Sequence, residues 1–291
     1  MIKYFGCHLM TSYGLFTCID RILELKGTAF QIFLRNPKSV NVLPISEKKQ
    51  KELQKMKQFF DKNKNIKCIV HSPYVLNFCH NPGSDQYEKS VNVLVHDMKD
   101  SEIGGIEYCI IHLGKNTNKL SFSDAMNNYA SGLVECLKRT QGLNVKIVIE
   151  TGAGQGTEVG WKIKNLGKIK DLIYEKLENK EDINRIKYCI DTCHITSASY
   201  DIINDCERVV ELIEKYIKWE NVVCIHVNDN KTQIGSHVDR HADIGYGTIG
   251  EDPLKIFVRC ALNRNENIIC VLETPRDNTD LTTQLTWLSK V

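Results

Sequence analysis

Eight short apolar runs, each followed by a segment with helical periodicity, recur along the whole sequence. The predicted strands cover residues 2–6, 28–34, 67–71, 108–112, 145–150, 186–191, 222–226 and 268–273. The predicted helices cover residues 14–26, 46–63, 85–101, 121–140, 162–177, 206–219, 253–262 and 281–290. Eight such units in 291 residues are the expected outline of a (β/α)8 TIM barrel of the α/β class. An open, doubly wound sheet is the alternative, because a strand count does not establish closure.

The composition fits one large domain. Hydrophobic residues make up 42% of the chain, which is enough for a sizeable core. No linker, Pro-rich tract or low-complexity segment interrupts the alternation, so we predict a single domain over residues 1–291. Neither a transmembrane helix nor a signal peptide is indicated. The net charge of +2 is too small to argue for a nucleic-acid partner by itself.

The twelve cysteines indicate a reducing compartment rather than a disulfide framework. Many of them lie inside apolar, strand-like runs, namely Cys68, Cys109, Cys189, Cys224 and Cys270. Buried free thiols are the simplest interpretation, and no C-x-x-C pair is present to form a zinc ribbon or a redox motif. We therefore predict an intracellular protein, for which the cytoplasm, a nucleus and a virion are all compatible locations.

The last six predicted strands all end in residues that can bind metal. These residues are His71, His112, Glu150, Asp191 with His194 three positions on, His226 and Glu273. Any one of them alone is more often a hydrogen-bonded structural residue. A closed barrel, however, brings all six strand ends to one mouth, where crowded carboxylates are costly without cations.

Asp239 and His241 extend this set, because residues two apart in an extended segment point the same way. Mixed imidazole and carboxylate ligands favour Zn²⁺ or Mn²⁺ over Ca²⁺ or Mg²⁺. Nine ligands are too many for one ion but serve three if one carboxylate bridges two of them. Clustered ions of this kind are best suited to phosphate ester hydrolysis.

Seven segments resemble the endonuclease IV family of apurinic/apyrimidinic (AP) endonucleases, and the similarity covers nearly the whole chain. They are HSPYVLNF (71–78), IHLG (111–114), IETGAGQG (149–156), CIDTCH (189–194), HVNDNK (226–231), GSHVDRHADIGYGTIG (235–250) and LET (272–274). All nine metal positions of the family are matched. The CIDTCH and VDRH blocks are highly specific.

The resemblance implies three zinc ions at the carboxyl ends of the barrel strands, with Mn²⁺ as the alternative at one or more positions. The implied ligands are His71, His112 and Glu150 for the first ion, Glu150, Asp191, His226 and Glu273 for the second, and His194, Asp239 and His241 for the third. Glu150 and Glu273 are the implied catalytic residues, and Glu150 would fix the position of a hydroxide nucleophile.

The implied reaction is hydrolysis of the phosphodiester bond 5′ to an abasic site in duplex DNA. It leaves a 3′-hydroxyl and a 5′-deoxyribose phosphate, and the same site is expected to trim blocked 3′ ends. The expected partner is therefore duplex DNA with abasic sites or blocked 3′ ends. We expect the enzyme to act as a monomer.

The predicted DNA contacts are Asn36, Lys38, Tyr74, Val75 and Arg240, with Arg35 as a further candidate for phosphate. The family inserts loop side chains into the minor groove and flips out the abasic nucleotide. Tyr74 matches the inserted tyrosine, whereas Val75 replaces the more usual leucine. Residues 36–38 are Asn-Pro-Lys where Asn-Gln-Arg is common, and lysine lacks the planar stacking surface of arginine. Insertion is therefore expected to be weaker or to be made differently here.

Other functions fit the sequence less well. Sugar isomerases and epimerases of the xylose-isomerase-like barrels resemble this chain at four positions that would bind a single metal ion. These positions are Glu150, Asp191, His226 and Glu273. They do not require the other five ligands, all of which are present. A DNA-binding barrel with a dead site would lose ligands, and the VDRH and HVND blocks fit AP endonucleases better than UV-damage endonucleases. His8 lies near the end of the first predicted strand, and the sequence is compatible with a position at the mouth, in the core or on the surface.

The glycine-rich stretch 152–157 lies between a predicted strand and a predicted helix, where a dinucleotide-binding turn would lie. Its last residue is Thr157, at a position where the dinucleotide fingerprint needs glycine. We therefore expect these glycines to serve close backbone packing at the mouth.

Overall fold

Eight parallel strands close a barrel in the structure, a computed structural model that describes residues 2–42 and 45–291. The barrel strands are β1 (Tyr4–His8), β2 (Ala29–Phe33), β3 (Lys67–His71), β4 (Tyr108–Ile111), β5 (Lys146–Glu150), β6 (Ile186–Asp191), β7 (Val222–His226) and β10 (Ile269–Leu272). Two short strands outside the barrel, β8 (Asp229–Asn230) and β9 (His241–Ala242), form a separate antiparallel hairpin. Consecutive barrel strands pair in parallel, and β10 pairs with β1 to complete the ring. The predicted (β/α)8 barrel is confirmed, and the open sheet is excluded.

Helices surround the barrel on its outer side, except for the short α6 (Thr192–Ser197), which lies at the carboxyl end of β6. Their bounds are α1 (Thr17–Glu24), α2 (Glu47–Lys62), α3 (Asp85–Gly104), α4 (Phe122–Arg139), α5 (Ile163–Lys176), α6 (Thr192–Ser197), α7 (Cys206–Tyr216), α8 (Glu251–Arg264) and α9 (Leu281–Ser289). Helix α2 illustrates the local cause: the Ser46 hydroxyl accepts the Lys49 amide and caps the first turn. Its apolar residues Leu53, Met56 and Phe60 recur at helical spacing and face the core.

Three differences from the sequence-based prediction affect the carboxyl end of the barrel, where the strands end. Strand β1 runs over Tyr4–His8 instead of residues 2–6, because pairing with β2 continues through Cys7 and His8. The short helix α6 was not predicted and begins directly after Asp191. The hairpin of β8 and β9 was also not predicted.

The core has two layers. The larger layer lies between the strands and the helices. The smaller layer fills the barrel interior and consists of Tyr4, Ala29, Ile69, Ile110, Val148, Cys189, Val223, Cys224, Ile269 and Val271. Side chains alternate between the two faces of a strand. The residue two positions after an interior residue therefore also points into the barrel, closer to the carboxyl end of its strand.

The cysteines are free thiols. All twelve lie within the described ranges; ten are buried, and Cys206 and Cys260 are half-buried. Burial raises the pKa of the Cys7 and Cys270 thiols to about 12 in each case, so these groups stay protonated. Of the helices in the described parts of the chain, none combines the length and the apolar character needed to span a bilayer.

Candidate metal centre

The alternation of side chains along the strands brings the candidate ligands of six strand ends to one place. Interior residues of six consecutive strands are each followed, two positions on, by a histidine or a carboxylate. The pairs are Ile69 with His71, Ile110 with His112, Val148 with Glu150, Cys189 with Asp191, Cys224 with His226 and Val271 with Glu273. The last ligand on each strand therefore points inward at the carboxyl end of the barrel, where TIM-barrel sites lie.

The first group consists of His71, His112 and Glu150, whose ligand atoms all lie within 4.8 Å of one another. Glu150 Oε2 lies 3.3 Å from His71 Nε2 and 3.6 Å from His112 Nδ1. Glu150 and His71 are buried, while the side chain of His112 is 23% exposed. The group is thus open to solvent through His112.

The second group consists of Glu150, Asp191, His226 and Glu273, again within 4.8 Å of one another. His226 Nδ1 lies 2.9 Å from Glu150 Oε1 and 3.0 Å from Glu273 Oε2. Asp191 Oδ2 is 3.8 Å from the same nitrogen. Glu150 therefore gives one carboxylate oxygen to each of the first two groups.

The third group depends on the two elements that the sequence did not predict. His194 is carried by α6, and His241 begins β9; Asp239 precedes it by two residues. His194 Nε2 lies 3.2 Å from Asp239 Oδ2, and His241 Nε2 lies 3.3 Å from Asp239 Oδ1. These three ligand atoms also lie within 4.8 Å of one another. All nine sequence-predicted metal residues are thus brought together.

The outer ring nitrogens of three histidines face backbone carbonyls. His71 Nδ1 is 2.7 Å from the Ser72 carbonyl, and His194 Nδ1 is 2.7 Å from the Thr151 carbonyl. His241 Nδ1 is 3.3 Å from the Glu273 carbonyl. A carbonyl oxygen only accepts, so each of these nitrogens carries the proton and donates. In the neutral imidazole the opposite nitrogen, which faces the site, then presents a lone pair.

The carboxylates dominate the electrostatics of the site. Burial raises the pKa of Glu150, but the charges of His112 and His226 outweigh burial and hold that pKa well below its usual range. Burial lowers the pKa of His226, but Glu273 and Glu150 help to reverse this effect and raise the pKa above its usual range. At His112, by contrast, burial prevails and the pKa falls to about 4. The inward-facing positions therefore attract cations.

Several site residues were missed by the sequence analysis because they are not metal ligands by type. Gln31 is fully buried, and its amide contacts both His226 and Glu273. Asn228 donates to Asp191 Oδ2 at 2.7 Å and accepts the Glu273 amide at 2.9 Å. The position of Gln31, two residues after the interior residue Ala29, was the available signal.

His8, which the sequence left open between mouth, core and surface, lies at the mouth. It lines the same cavity as the candidate ligands. Its Nδ1 is 3.7 Å from Glu273 Oε1.

The mouth is a cavity of about 390 Å³, whose lining includes several of the candidate ligands together with Tyr74 and Arg276. Tyr74 is 48% exposed, and its ring centroid lies 6.2 Å from that of His71 and 6.2 Å from that of His112. Val75 beside it is 43% exposed. Tyr74 therefore stands at the rim of the cavity, next to the candidate ligands His71 and His112.

The other predicted DNA contacts lie on exposed loops. Asn36 and Lys38 are placed there, and Asn36 Oδ1 accepts the Lys38 amide in a local turn. This turn adjoins Tyr74, whose amide donates to the Pro37 carbonyl at 3.2 Å. Arg240 is also exposed and donates to the Asp239 carbonyl, beside the third group.

Arg35 is a correction to the sequence-based prediction. Its side chain is only 8% exposed, and its guanidinium donates to Asp97 at 2.8 Å and to Asp100 at 2.6 Å, both on α3. An arginine just after a strand is equally consistent with a surface charge, and only the tertiary packing of α3 reveals its buried partners. Arg35 therefore anchors the loop of Asn36 and Lys38 to α3, and its guanidinium is already engaged by these two carboxylates.

The glycine-rich stretch packs as predicted. A Cβ added at Gly152 would lie 2.4 Å from Glu158 Oε2, and one at Gly154 would lie 2.6 Å from His237 Nδ1. Gly154 also has a φ of +78°, which favours glycine. Its amide donates to Glu158 Oε2 at 2.7 Å. The turn thus folds tightly around the Glu158 carboxylate beside the mouth.

Comparison with known proteins first identifies the structural class to which the chain belongs. A family model described as a xylose isomerase-like TIM barrel matches residues 19–291. The chain therefore belongs to this class of TIM barrel, in agreement with its closed barrel of eight parallel strands.

Individual relatives narrow the assignment. The chain is 36% identical over 286 residues to a protein named putative endonuclease 4 from Acanthamoeba polyphaga mimivirus, covering 95% of this chain and 87% of the relative. It is 33% identical over 276 residues to the probable endonuclease 4 of Clostridium botulinum (strain Alaska E43 / Type E3), covering 94% and 92%. The crystal structure of endonuclease IV from Thermus thermophilus superposes with a TM-score of 0.80 at 25% identity, covering 99% of this chain and 100% of that one. The chain belongs to the endonuclease IV family of AP endonucleases, which are DNA-cleaving hydrolases.

Proposed function

We propose that this protein is a zinc-dependent AP endonuclease that hydrolyses the phosphodiester bond 5′ to an abasic site in duplex DNA. The products are a 3′-hydroxyl and a 5′-deoxyribose phosphate, and the same site trims blocked 3′ ends. The observation that carries this proposal is the convergence of nine ligand-type side chains into three adjoining groups, with Glu150 shared by two of them.

The side chains fit metal ions. His241 Nε2 is buried and has no hydrogen-bond partner among the described residues, although two carboxylates, Asp191 and Asp239, lie within 3.5 Å of it. A lone pair that faces carboxylate oxygens is repelled unless a cation lies between them. Imidazole nitrogen with carboxylate oxygen is a donor set that suits Zn²⁺. We therefore assign three Zn²⁺ ions to the three groups, with Mn²⁺ as the alternative occupant.

Glu150 and Glu273 have different roles in the proposed metal centre. When bound, the ions supply Lewis-acid chemistry: they lower the pKa of water and neutralise charge on the phosphate. Glu150 fixes the spacing of the first two groups, because its two oxygens belong to different groups. Glu273 contacts His226 and lines the mouth cavity, within reach of the reacting phosphate. Glu150 and Glu273 are the proposed catalytic residues.

The DNA is proposed to lie across the mouth. An abasic nucleotide lacks its base, so rotating it out of the duplex costs less than flipping an intact nucleotide. Tyr74 and Val75, both partly exposed at the rim, are placed to enter the space that it leaves. Asn36, Lys38 and Arg240 lie on the neighbouring loops and are proposed to contact the backbone. The reaction needs one copy of the chain, so we propose a monomer.

A sugar isomerase or epimerase is the second candidate, since Glu150, Asp191, His226 and Glu273 form a self-contained group. A one-ion reaction of that kind leaves the other five side chains without a role. In the structure those five, His71, His112, His194, Asp239 and His241, stand beside the same cavity or the same carboxylates. Their placement favours the endonuclease.

The proposal is tested with the full chain, loaded with zinc, and a duplex that carries one tetrahydrofuran abasic analogue. We expect a single nick 5′ to the analogue, with a 3′ end that a polymerase extends. The matched control is the same duplex with an intact nucleotide, which should stay whole. Absence of nicking by protein that carries its full complement of metal would overturn the proposed function.

A further inference from the structure

Gln31 occupies a central place in the metal centre. It lies in the middle of β2, is fully inaccessible to solvent, and points into the barrel beside the second ligand group. Its Oε1 lies 2.8 Å from His226 Nε2, and its Nε2 lies 2.6 Å from Glu273 Oε1. The same Nε2 is 3.0 Å from His8 Nδ1. One amide therefore joins two proposed zinc ligands and a third side chain at the mouth.

The chemistry of these partners fixes which way the amide points. A carboxylate only accepts hydrogen bonds, so the amide NH₂ must face Glu273 and the amide oxygen must face His226. The two N–H bonds of Gln31 then go to Glu273 and to His8, and its oxygen accepts from His226. Rotating the amide by half a turn would set its oxygen against the Glu273 carboxylate, which is repulsive.

The orientation determines the state of His226. The amide oxygen of Gln31 requires a proton on His226 Nε2, which leaves the lone pair of the neutral ring on Nδ1. Nδ1 is the atom that lies 2.9 Å from Glu150 and 3.0 Å from Glu273. In the same way, the bond from Gln31 occupies Glu273 Oε1, so Oε2 is the oxygen that faces His226 Nδ1.

We infer that Gln31 is a positioning residue of the metal centre, which sets the tautomer of His226 and selects the metal-facing oxygen of Glu273. This inference rests on the proposed zinc site. Hydrogen bonds from outside the ligand shell hold ligands in their binding geometry, and losing them typically costs about 10- to 100-fold in metal affinity. The side-chain contacts of Gln31 reach ligands of the second group, so its effect should fall on the ion held there.

The test removes the amide and measures zinc retention without DNA. Gln31→Met keeps the length of the side chain, and Gln31→Leu removes the same bonds with a different shape, so that one of them is expected to fold. Each protein is loaded with zinc and titrated with a chromogenic chelator, and the remaining zinc is counted by elemental analysis. We expect one of the three ions to be lost at about 10- to 100-fold lower chelator strength than in the wild type.

Gln284→Met is the matched control. Gln284 is a buried glutamine on α9 whose amide accepts from the Ile244 amide and donates to the Thr279 carbonyl, and which makes no hydrogen bond to any of the nine candidate ligands. Its loss should lower the melting temperature and leave all three ions in place. Unchanged zinc retention in a folded Gln31 variant, or an equal loss in Gln284→Met, would overturn the inference. Failure of the wild-type chain to retain zinc would instead refute the proposed function.

Discussion

The Asp191 carboxylate accepts a hydrogen bond from the backbone amide of His194 at 2.9 Å, so that a candidate ligand of the second group caps the helix that carries a candidate ligand of the third. Asp191 Oδ1 makes this cap, which leaves Oδ2 to face His226 and His241. A capping carboxylate also interacts favourably with the positive end of the helix backbone. The spacing between the second and third groups is therefore built into one strand–helix junction.

Glu150→Gln should lower nicking of abasic duplex by about 100-fold or more, because an amide cannot replace a carboxylate that serves two ligand groups. The substitution keeps size and shape, so circular dichroism should show a folded protein. Glu178→Gln is the control. Glu178 is almost fully exposed, and its ion pair with Lys138 is long, at 4.0 Å, and also exposed. Near-normal nicking by Glu150→Gln would remove this residue from the mechanism.

Tyr74→Ala should weaken binding of abasic duplex about tenfold, because a ring that stacks in DNA contributes about 1–3 kcal/mol. Fluorescence anisotropy with zinc-loaded protein and a noncleavable duplex measures the Kd. Tyr74→Phe keeps the ring and should bind like the wild type. Tyr174→Ala provides a matched surface control, since Tyr174 is also 48% exposed but lies on α5. Equal Kd values for Tyr74→Ala and wild type would exclude insertion of Tyr74.

Lys38→Arg should tighten binding of the same duplex by about two- to fivefold, because guanidinium stacks on bases and binds phosphate in a bidentate manner. The substitution keeps the charge, so the change reports geometry and not net electrostatics. Lys138→Arg, at an exposed site on α4, should leave the Kd unchanged. An unchanged Kd for Lys38→Arg would show that residue 38 does not reach the DNA, and weaker binding would contradict the gain expected from a planar guanidinium.

Arg35→Met should lower the free energy of unfolding by about 3–5 kcal/mol, because it leaves Asp97 and Asp100 buried without their cation. Urea denaturation followed by circular dichroism measures this quantity. Arg21→Met breaks an exposed pair with Glu24 and should cost less than about 1 kcal/mol. A small effect at Arg35 would mean that the two aspartates are protonated or hydrated in the folded protein.

The sequence was sufficient for the barrel because the apolar runs and helical periodicities are strong and regular. The bounds of α2 and α4 were predicted to within a residue at each end, since Ser46 and Ser121 are capping residues. The ligand-type residues at the strand ends were also visible, because a charged group that ends an apolar run is conspicuous. At these positions the residue type and the hydrophobic pattern both indicated a functional site.

Tertiary context decided the rest. Helix α6 is under two turns long, too short for a periodic signal, and its start depends on the Asp191 cap. The hairpin of β8 and β9 pairs Asn230 with His241 and so joins segments that no local pattern connects. Gln31 and Arg35 were missed or misplaced for a related reason: their partners lie on distant segments, so the roles of these residues emerge only when the barrel closes.

The central claim is that this barrel holds a three-ion zinc centre. Elemental analysis of the purified full chain, after dialysis against zinc-free buffer, measures it most directly. We predict about three zinc ions per chain, shared through Glu150, and loss of nicking when a chelator removes them. A content of one ion per chain would contradict the three-ion centre and favour the one-metal isomerase chemistry instead.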